Sequence, residues 1–460
     1  MQGLRLANIA SHGRTSGRHS ALHNGNRKQL RAKVPRSTHA DWTPAANRAD
    51  PIPLMDEQCR HRIPELLPIR YGRMLESPFA FLRGAPAVMA ADLATAPRTG
   101  LRVQACGDAH LMNFGLWATP ERRLVFEVND FDETLPASFE WDVQRLAASV
   151  YVAARDRGLT EAQCAEATEA GVRAYRTKMR TLARLDHLQR WYHSHPVAEA
   201  LASIGSRSAR EAERIVRKAQ RHTHVGALDK LTTVVNGHRR IVDNPPLIDH
   251  VDAPYLDRTM DTYREYLRSL PAERRVLLQR YELVDAARKV VGVGSVGTDC
   301  RVALLVGGGD SDPLFLQIKE AERSVLEPHA GRSPYKHQGR RVVTGQRLMQ
   351  SASDIFLGWF HSGDRHYYVR QLRDMKGSAE LERLDAGQLT GYAEICGREL
   401  ARAHARGGEA EAIASYLGKG DVFDRAVTAF ARTYADLTEA DYAELVAAAK
   451  SGRIEVLEGV

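Results

Sequence analysis

The sequence predicts an α+β fold in which a small antiparallel sheet lobe is combined with a large helical lobe. Short β-rich runs separated by Gly, Asp and Ser turns occupy residues 287–375, together with one predicted helix at 335–353. Apolar residues recur at helical spacing on both sides of this stretch, as in EWDVQRLAASVYVAARD at 140–156. We therefore expect residues 63–286 and 376–460 to build the helical lobe together, around the sheet lobe.

The first 62 residues are expected to form a basic, disordered extension, with order beginning near Pro64. Residues 1–40 contain eight arginines and lysines and no Asp or Glu, so they account for the whole formal net charge of +8. The rest of the chain is close to neutral. Binding of nucleic acid is therefore unlikely except through the tail, where it is the alternative to a solvated extension.

Cysteine usage and hydropathy indicate a cytoplasmic protein with no membrane partner. The five cysteines are scattered and form no CxxC pair, which argues against a disulfide framework and against a zinc site built from cysteines. The sequence shows no apolar run of the length that a membrane-spanning helix needs, and no apolar core of a secretory signal.

Three short elements precede the long helical stretch. PAVMAADL at 86–93 predicts a helix that begins with proline at its first position. LRVQAC at 101–106 and RLVFEV at 123–128 predict two strands, and a cluster of polar residues follows each of them. The two polar clusters are the first candidates for a site.

These clusters, GDAHLMN and NDFDE, carry the residue types that phosphoryl transfer requires. Such a site needs a carboxylate to orient the attacking hydroxyl, and an Asn and a second Asp to hold Mg²⁺ against the phosphates. Asp108 and Asn113 lie in the first cluster and Asp130 in the second, so two strand ends can bring all three into one cleft. The alternative is that they are ordinary turn residues, because Asp and Asn favour such positions.

The second group of candidates is the glycine-rich sequence GVGSVG at 292–297. In a dinucleotide-binding fold a helix follows the last glycine, whereas here TDCRVALLV predicts a returning strand. A glycine turn between strands lets backbone N–H groups approach phosphates, and Lys319 in the later strand LQIKEA could contact them as well. A plain hairpin turn and a solvent-facing lysine are the alternatives. The candidate nucleotide-binding residues are Gly292, Gly294, Ser295, Gly297 and Lys319.

Together these motifs resemble a known superfamily. GDAHLMN with NDFDE is similar to the catalytic and metal-binding motifs of the aminoglycoside phosphotransferase and choline kinase branch of the protein-kinase superfamily, and GVGSVG with LQIKEA resembles that superfamily's glycine loop and lysine. The resemblance implies a protein-kinase-like two-lobed fold that uses ATP and Mg²⁺ to phosphorylate an unknown hydroxyl acceptor. It also implies that Asp108 orients the acceptor, that Asn113 and Asp130 hold magnesium, and that Lys319 fixes the phosphates.

A closer resemblance is to a bacterial family catalogued as domain of unknown function 2252. It rests on RYGRMLESPFAFLRG, GDAHLMNFG, DFDETLPASFEWDVQRLAAS, VGVGSVGT and GQRLMQSASDIFLGW, and it extends from about residue 63 to the C-terminus. The family implies no particular substrate.

The order of the motifs differs from that of ordinary kinases, in which the glycine loop and lysine precede the catalytic loop. Here Asp108 comes about 180 residues before Gly292, which predicts a circularly permuted kinase-like fold. GYAEICGRELARAHARG resembles the kinase helix that leads into the catalytic loop. We therefore expect residues 400–404 to pack near residues 103–107.

The partner of Lys319 is left open by the sequence. Kinases hold this lysine with a Glu from a helix packed on the sheet, but the predicted helix at 335–353 contains no Glu or Asp. Gln346 on that helix is one candidate partner, and the acids shortly after Lys319 are others. A neutral partner would favour a nucleotide-binding regulator without turnover. His110, Asp132 and Asp142 are further supporting candidates, with Asp142 expected to brace the catalytic loop.

Other chemistries match fewer residues. Asp108 and His110 resemble the start of a metallophosphoesterase motif whose remaining elements are missing. His193 and His195 could form a metal site but are more simply explained as surface or packing residues. Nucleotidyl transfer would use the same groups as phosphoryl transfer, and the acceptor pocket is expected in the helical region at 160–284.

Overall fold

The structure is a computed structural model that describes most of residues 29–459. The predicted tail at 1–28 and the metal candidate His195 lie outside the described residues. Within 29–459 the stretches left undescribed are 195, 198–213, 215, 218–227, 229–230, 236–237, 251–253, 310–311, 373–376 and 378.

The helices fall into groups before, within and after the main sheet, as predicted for an α+β protein. Helices α1–α7 are Pro51–Cys59, Leu67–Met74, Pro78–Gly84, Pro86–Leu93, Phe139–Asp156, Glu161–Leu182 and His187–Tyr192. Helices α8–α14 are Pro254–Ser269, Ala272–Leu278, Glu327–Ala330, Gln338–Met349, Ala386–Gly407, Ala410–Leu417 and Val422–Lys450.

Among the described residues, the strands form one larger antiparallel sheet and three two-stranded ladders. The ladders are built from β1 to β6, which are Arg102–Ala105, Phe114–Ala118, Leu124–Val128, Leu135–Ser138, Thr232–Val235 and His238–Ile241. The larger sheet is built from β7 to β12, which are Ile248–His250, Glu282–Lys289, Cys300–Val306, Pro313–Glu320, Gly358–Ser362 and Arg365–Gln371.

The larger sheet places Lys319 in a central strand. Its strand order is β11-β12-β10-β9-β8-β7, and β10 pairs with β12 on one side and β9 on the other. In this register Lys319 lies opposite Tyr368 and Cys300. Because strands cover β10 on both sides, the Lys319 ammonium can only leave the sheet through one of its faces.

Two of the ladders bring the acidic motifs together. β1 pairs with β4, and β2 pairs with β3. The loop at 106–113 connects β1 to β2 and the loop at 129–134 connects β3 to β4, so the pairing places the two loops side by side. The strands predicted at 101–106 and 123–128 and the helix predicted at 86–93 are confirmed.

The main core lies among the long helices α5, α6, α12 and α14. Helices α6 and α12 approach each other closely, because a Cβ on Gly397 would lie 2.1 Å from the carbonyl oxygen of Gly171. Any side chain there would push the two helices apart. No helix among the described residues is long and apolar enough to cross a membrane.

Residues 29–62 correct the prediction that residues 1–62 are disordered throughout. The described part contains α1 and a 3₁₀ turn at Arg36–Ala40. Trp42 packs against Phe430, and the Nε2 atom of His39 lies 2.9 Å from the hydroxyl of Tyr416. These partners come from the C-terminal helices nearly 400 positions away, so the local composition of the segment gave no sign of them.

The main sheet also begins earlier than the predicted boundary at residue 287. β8 starts at Glu282, and β7 at 248–250 belongs to the same sheet. The sequence ELVDAARK is rich in residues that favour helices, so its strand conformation depends on pairing with β9. Tertiary pairing therefore overrides local propensity at this boundary.

Candidate functional site

One cleft collects the residues of both acidic loops and of the glycine-rich turn. It encloses about 530 Å³, counting space that is open to solvent. Its lining includes Asp108, Asn113, Asp130, Asp132, Gly294 and Ser295. Motifs that are separated by more than 160 positions in the sequence therefore border the same space.

Asp108 is held at this cleft by an ion pair with Arg145 of α5. Oδ1 of Asp108 lies 2.8 Å from Nε and 2.7 Å from an Nη atom of Arg145. Oδ2 lies 3.6 Å from Nε2 of His110. Burial, followed by the charges of Arg83 and Arg145, lowers the pKa of His110 well below its ordinary value. His110 is therefore a neutral neighbour of Asp108, and Arg145 is its charged partner.

Asn113 is oriented by the backbone of the same loop. Its Nδ2 atom donates to the carbonyl oxygen of Asp108 at 2.6 Å, which turns the side-chain oxygen Oδ1 away from that carbonyl. Its own backbone carbonyl accepts from the N–H of Asn129 at 2.9 Å. The second bond ties the loop that carries Asp108 to the loop that carries Asp130.

Asp142 braces the loop at 106–113 by hydrogen bonding, as predicted. Its two carboxylate oxygens accept from the backbone N–H groups of Cys106 at 2.6 Å and Gly107 at 2.9 Å. Nε2 of His404 lies 3.0 Å from the same carboxylate, and Nδ1 of His404 lies 2.9 Å from the hydroxyl of Tyr175. This chain of polar contacts connects the loop to α12 and α6.

The C-terminal end of α12 lies beside β1, which agrees with the predicted packing of residues 400–404 near residues 103–107. A Cβ on Gly407 would lie 2.7 Å from Cβ of Gln104. The helix that resembles the one preceding a kinase catalytic loop therefore ends next to the strand that precedes Asp108.

Lys319 has Asp132 as its nearest charged partner. Its Nζ atom lies 2.6 Å from Oδ2 of Asp132 and 3.5 Å from Oδ2 of Asp130. The other oxygen of Asp132 accepts from the hydroxyl of Tyr368 at 2.6 Å, and the Tyr368 ring centroid lies 5.7 Å from the ammonium. The Lys319 side chain is only 2% exposed, so the pair is almost completely removed from water on the lysine side.

The charges of this cluster are strongly coupled. Burial alone would lower the pKa of Lys319, but Asp130 and Asp132 raise it well above its ordinary value. Burial works against ionisation of Asp132, yet Lys319 and Tyr368 lower its pKa to about 2. Burial and the charge of Asp132 raise the pKa of Asp130. Asp130 is therefore the acid of this cluster whose ionised form a further cation would stabilise most.

Arg341 of α11 fastens the acidic loop to the end of β10. Its two Nη atoms donate to the carbonyl oxygens of Asp132, Thr134 and Glu322, each at 2.8 Å. Nearby, Glu133 accepts from the N–H of Val325 at 2.7 Å. Burial raises the pKa of Glu133 to about 7, although Arg341 opposes this shift. Glu133 can therefore exchange a proton near neutral pH at the edge of the cleft.

The glycine-rich turn links β8 to β9 as predicted, and two arginines, one in α2 and one in the segment before it, hold its carbonyl groups. Arg70 donates to the carbonyl oxygens of Val293 at 2.9 Å and Gly294 at 3.0 Å. Arg62 donates to the carbonyl oxygen of Val296. These bonds hold the turn against α2, so contacts from outside the sheet fix its conformation.

The turn also contacts the lysine cluster directly. The hydroxyl of Ser295 donates to Oδ2 of Asp132 at 3.2 Å. Gly297 has a φ of +91°, a conformation that favours glycine. Gly292 begins the turn, and Gly292, Gly297 and Lys319 are not among the residues that line the cleft.

Gln346 is not placed beside Lys319, which corrects the suggestion that it could hold the ammonium. Its Nε2 atom donates to Oε1 of Gln350 at 2.9 Å, and it lines a separate pocket with Trp117. Asp132 is the partner of Lys319 instead, because the acidic loop packs directly on β10.

Sequence reasoning missed Arg145, Arg341 and the arginines that clamp the turn. Arg145 lies three positions after Asp142 on α5, so helical spacing would have placed it on the same face. Arg341 and Arg70 gave no comparable signal, because their acceptors are backbone carbonyls in distant segments.

The donor set of the cleft fits magnesium. Mg²⁺ prefers hard oxygen ligands, usually one or two carboxylates together with water and phosphate oxygens. Asp130 supplies a carboxylate that is 34% exposed, and Asn113 presents an amide oxygen from the neighbouring loop. The raised pKa of Asp130 also indicates a site at which a cation would be stabilised.

Comparison with known proteins gives one match. Residues 62–448 match a family model described as an uncharacterised protein conserved in bacteria, DUF2252. The chain belongs to this family. The matched residues of this DUF2252 protein include every residue that we have placed at the cleft. No curated protein and no solved structure matched the chain.

Proposed function

We propose that this DUF2252 protein is an ATP- and Mg²⁺-dependent phosphotransferase that acts on a hydroxyl acceptor. The observation that supports this most is the contact between Lys319 and Asp132, which are 187 positions apart in sequence. It joins the second strand after the glycine-rich turn, β10, to the loop that carries the metal candidates. A plain set of turn residues would not need to converge in this way.

In this proposal Asn113 and Asp130 hold Mg²⁺ through oxygen atoms on the two acidic loops. The ion would neutralise charge on the phosphoryl group during transfer. The Nδ2 bond from Asn113 to the Asp108 carbonyl keeps Oδ1 directed away from the loop. Asp130 has only longer contacts to Lys319 and to its own turn, at 3.5 Å and 3.3 Å. Its carboxylate is therefore the more available of the two in the lysine cluster.

Lys319 and the glycine-rich turn would bind the phosphates. Lys319 is fully charged and is held by Asp132 at the edge of the cleft, near Ser295. Because Arg62 and Arg70 hold carbonyl groups of the turn on its outer side, the backbone is arranged before any ligand arrives. Preorganised donors of this kind bind phosphate groups at a low entropic cost.

Asp108 would orient the acceptor hydroxyl. Since Arg145 engages Oδ1 with two nitrogens, the acceptor would have to be positioned by Oδ2. This ion pair is also the observation that favours the second candidate, a nucleotide-binding regulator without turnover. A carboxylate that is committed to a guanidinium is a poorer acceptor for the substrate proton.

We further propose that the architecture is a protein-kinase-like two-lobed fold with a circularly permuted chain. Starting at β8, the order is glycine-rich turn, β9, β10 with the lysine, α10, α11, two strands and then α12. Joining the end of α12 to β1 would continue into the loop of Asp108, and Gly407 lies beside Gln104 at this junction. The acidic loop with Asp130 follows. This is the order of parts that kinases share.

Titration calorimetry and a turnover assay test the proposal. We expect ATP to bind only with Mg²⁺, Asp130→Asn to reduce this affinity by at least about 100-fold, and Asp108→Asn to retain binding. The exposed Asp156→Asn serves as the matched control. Release of ADP that Asp108→Asn abolishes supports phosphoryl transfer, whereas release of pyrophosphate with AMP attached to the acceptor would indicate nucleotidyl transfer. Binding without any product supports the regulator. Absence of Mg²⁺-dependent binding contradicts the proposal.

A further inference from the structure

A second cluster of ligand-type side chains lies on the main sheet, outside the cleft. Glu265 comes from α8, His337 precedes α11, and His361 lies in β11. Each offers one ligand atom, and the three atoms all lie within 4.8 Å of one another. In a tetrahedral zinc site with bonds of 2.0–2.1 Å, ligand atoms are about 3.3 Å apart. Small side-chain rotations would therefore bring these three into bonding distance.

One ring nitrogen of His337 is buried and makes no hydrogen bond of regular geometry. This Nε2 atom meets no partner at hydrogen-bond distance and angle, although the backbone carbonyl of Phe360 is close enough to act on the ring. Such an atom is costly in a folded protein unless a ligand occupies it. A neutral imidazole nitrogen is the form that binds a metal ion.

Metal binding at Nε2 requires the ring proton of His337 to lie on the other nitrogen, Nδ1. Nδ1 accepts from the N–H of Arg340 at 3.2 Å, in an exposed bond at the start of α11. Binding of a metal at Nε2 moves the ring proton to Nδ1, so this bond is lost. Because the position is exposed, water can bond to the N–H of Arg340 in its place.

Glu265 and His361 are already in contact. Oε2 of Glu265 lies 2.7 Å from Nδ1 and accepts from the backbone N–H of His361 at 3.2 Å. The His337 and His361 ring centroids are 6.5 Å apart. A fourth residue, His366, stacks its ring on His337 with centroids 4.3 Å apart. Its Nδ1 atom accepts from the N–H of Gln338 at 3.2 Å, so it supports the His337 ring.

We propose that Glu265, His337 and His361 bind a zinc-class divalent transition metal ion. Two imidazole nitrogens and one carboxylate oxygen suit zinc and its neighbours, whereas Mg²⁺ and Ca²⁺ prefer sites made only of oxygen. Three protein ligands leave a fourth position to water or to an outside ligand. The His361 side chain is 59% exposed, so the ion can enter from solvent.

Such an ion would connect three elements that surround the sheet. It would link α8 and β11 to the start of α11, and Arg341 on α11 holds the carbonyl groups of Asp132 and Thr134. Occupancy would therefore stiffen the helix that positions the acidic loop. The metal site does not depend on the proposed phosphotransferase function, because an ion can bind here whether or not ATP binds in the cleft.

Metal content and cobalt spectroscopy test this proposal on the untagged full chain. The protein is treated with a chelator, dialysed and then reloaded with Zn²⁺. We expect it to retain one equivalent of Zn²⁺ after gel filtration, and we expect the bound ion to raise the Tm. Co²⁺ should give the intense visible absorption of a four-coordinate site. His361→Ala combined with Glu265→Gln should lower the retained zinc at least tenfold, whereas His187→Ala on an exposed helix should not.

Zinc retention by the wild-type protein and the variants decides whether these three side chains form the site. Retention of less than about 0.1 equivalent of zinc by the wild-type protein contradicts the proposal, as does equal retention by the wild-type protein and the double variant. A His337→Ala variant that still folds, as judged by circular dichroism, should also lose zinc. If it retains the metal, the assignment of His337 as a ligand is wrong.

Discussion

The cleft has two acidic regions that differ in what holds them. On the side of the proposed metal site, which we call the metal side, Asp130 and Asp132 contact Lys319, 187 positions away from Asp132 in the sequence and in a different sheet. On the side of the proposed acceptor site, which we call the acceptor side, Asp108 contacts Arg145, only 37 positions away and on the helix that follows the second acidic loop. The first region joins distant segments, and the second is set by nearby ones.

This difference predicts which part of the structure a substitution in each region would disturb. The contact between Lys319 and Asp132 exists only when the main sheet is docked on the acidic loops. The contact between Asp108 and Arg145 needs only the loop and α5 to be in place. Substitutions on the metal side should therefore affect docking of the sheet, whereas those on the acceptor side should affect the loop alone.

The largest effect is expected for Lys319→Met. It leaves Asp132 next to the sheet without its cation, and breaking a buried ion pair on one side costs about 2–4 kcal/mol of the free energy of unfolding when the acids keep some exposure. Urea denaturation measures this loss. The exposed Lys336→Met is the control, and Lys319→Met combined with Asp132→Asn should recover part of the loss. Equal stability of the two lysine variants would contradict the importance of the pair.

A smaller effect is expected for Arg145→Met. Arg145 contacts the carboxylate of Asp108, whereas Lys319 lies close to two carboxylates, so fewer charges lose their partner and we expect a loss of about 1–3 kcal/mol. Denaturation of this variant is compared with that of Arg425→Met, whose ion pair lies at the surface. A loss as large as that of Lys319→Met would remove the distinction between the two regions.

Asp142→Asn should weaken the acceptor side without disturbing the metal side. The Asn side chain has one acceptor oxygen where Asp142 has two, so the N–H of Cys106 or of Gly107 loses its partner at a cost of about 1–2 kcal/mol. Hydrogen exchange should accelerate at residues 106–113 and stay unchanged on β10. Acceleration on both would show that the two regions are not independent.

The last effect is a pH dependence that originates at Glu133. Its pKa is about 7 in the folded protein and 4.5 ordinarily, so the folded state keeps a proton that the unfolded state loses. The free energy of unfolding should therefore fall as pH rises from about 4.5 to about 7. Glu133→Gln should reduce this fall, and part should remain because Glu399 is shifted in the same direction. An unchanged pH profile in Glu133→Gln would contradict the shift.

The acidic residues and the glycine-rich turn show how far the sequence could predict the site. Asp108, Asn113 and Asp130 could be chosen because each occupies a polar cluster directly after a short apolar run, and pairing of the strands brings such ends together. The glycine-rich turn could be recognised because a strand followed it. These signals are local, because each motif lies next to its strand in the sequence.

The partners could not be predicted, because they depend on how distant elements pack. A search for the partner of Lys319 on the packed helix failed, since Asp132 comes from a loop whose position depends on docking with β10. The burial of Trp42 and His39 was missed for the same reason, as their partners lie on the C-terminal helices. Composition alone suggested a disordered tail there.

A structure determined with Mg²⁺ and a non-hydrolysable ATP analogue tests the central claim most directly. The account predicts phosphates between Ser295 and Lys319, with the metal on Asn113 and Asp130. A nucleotide bound away from these residues would contradict the account, and so would a cleft that stays empty at millimolar concentrations of Mg²⁺ and the analogue.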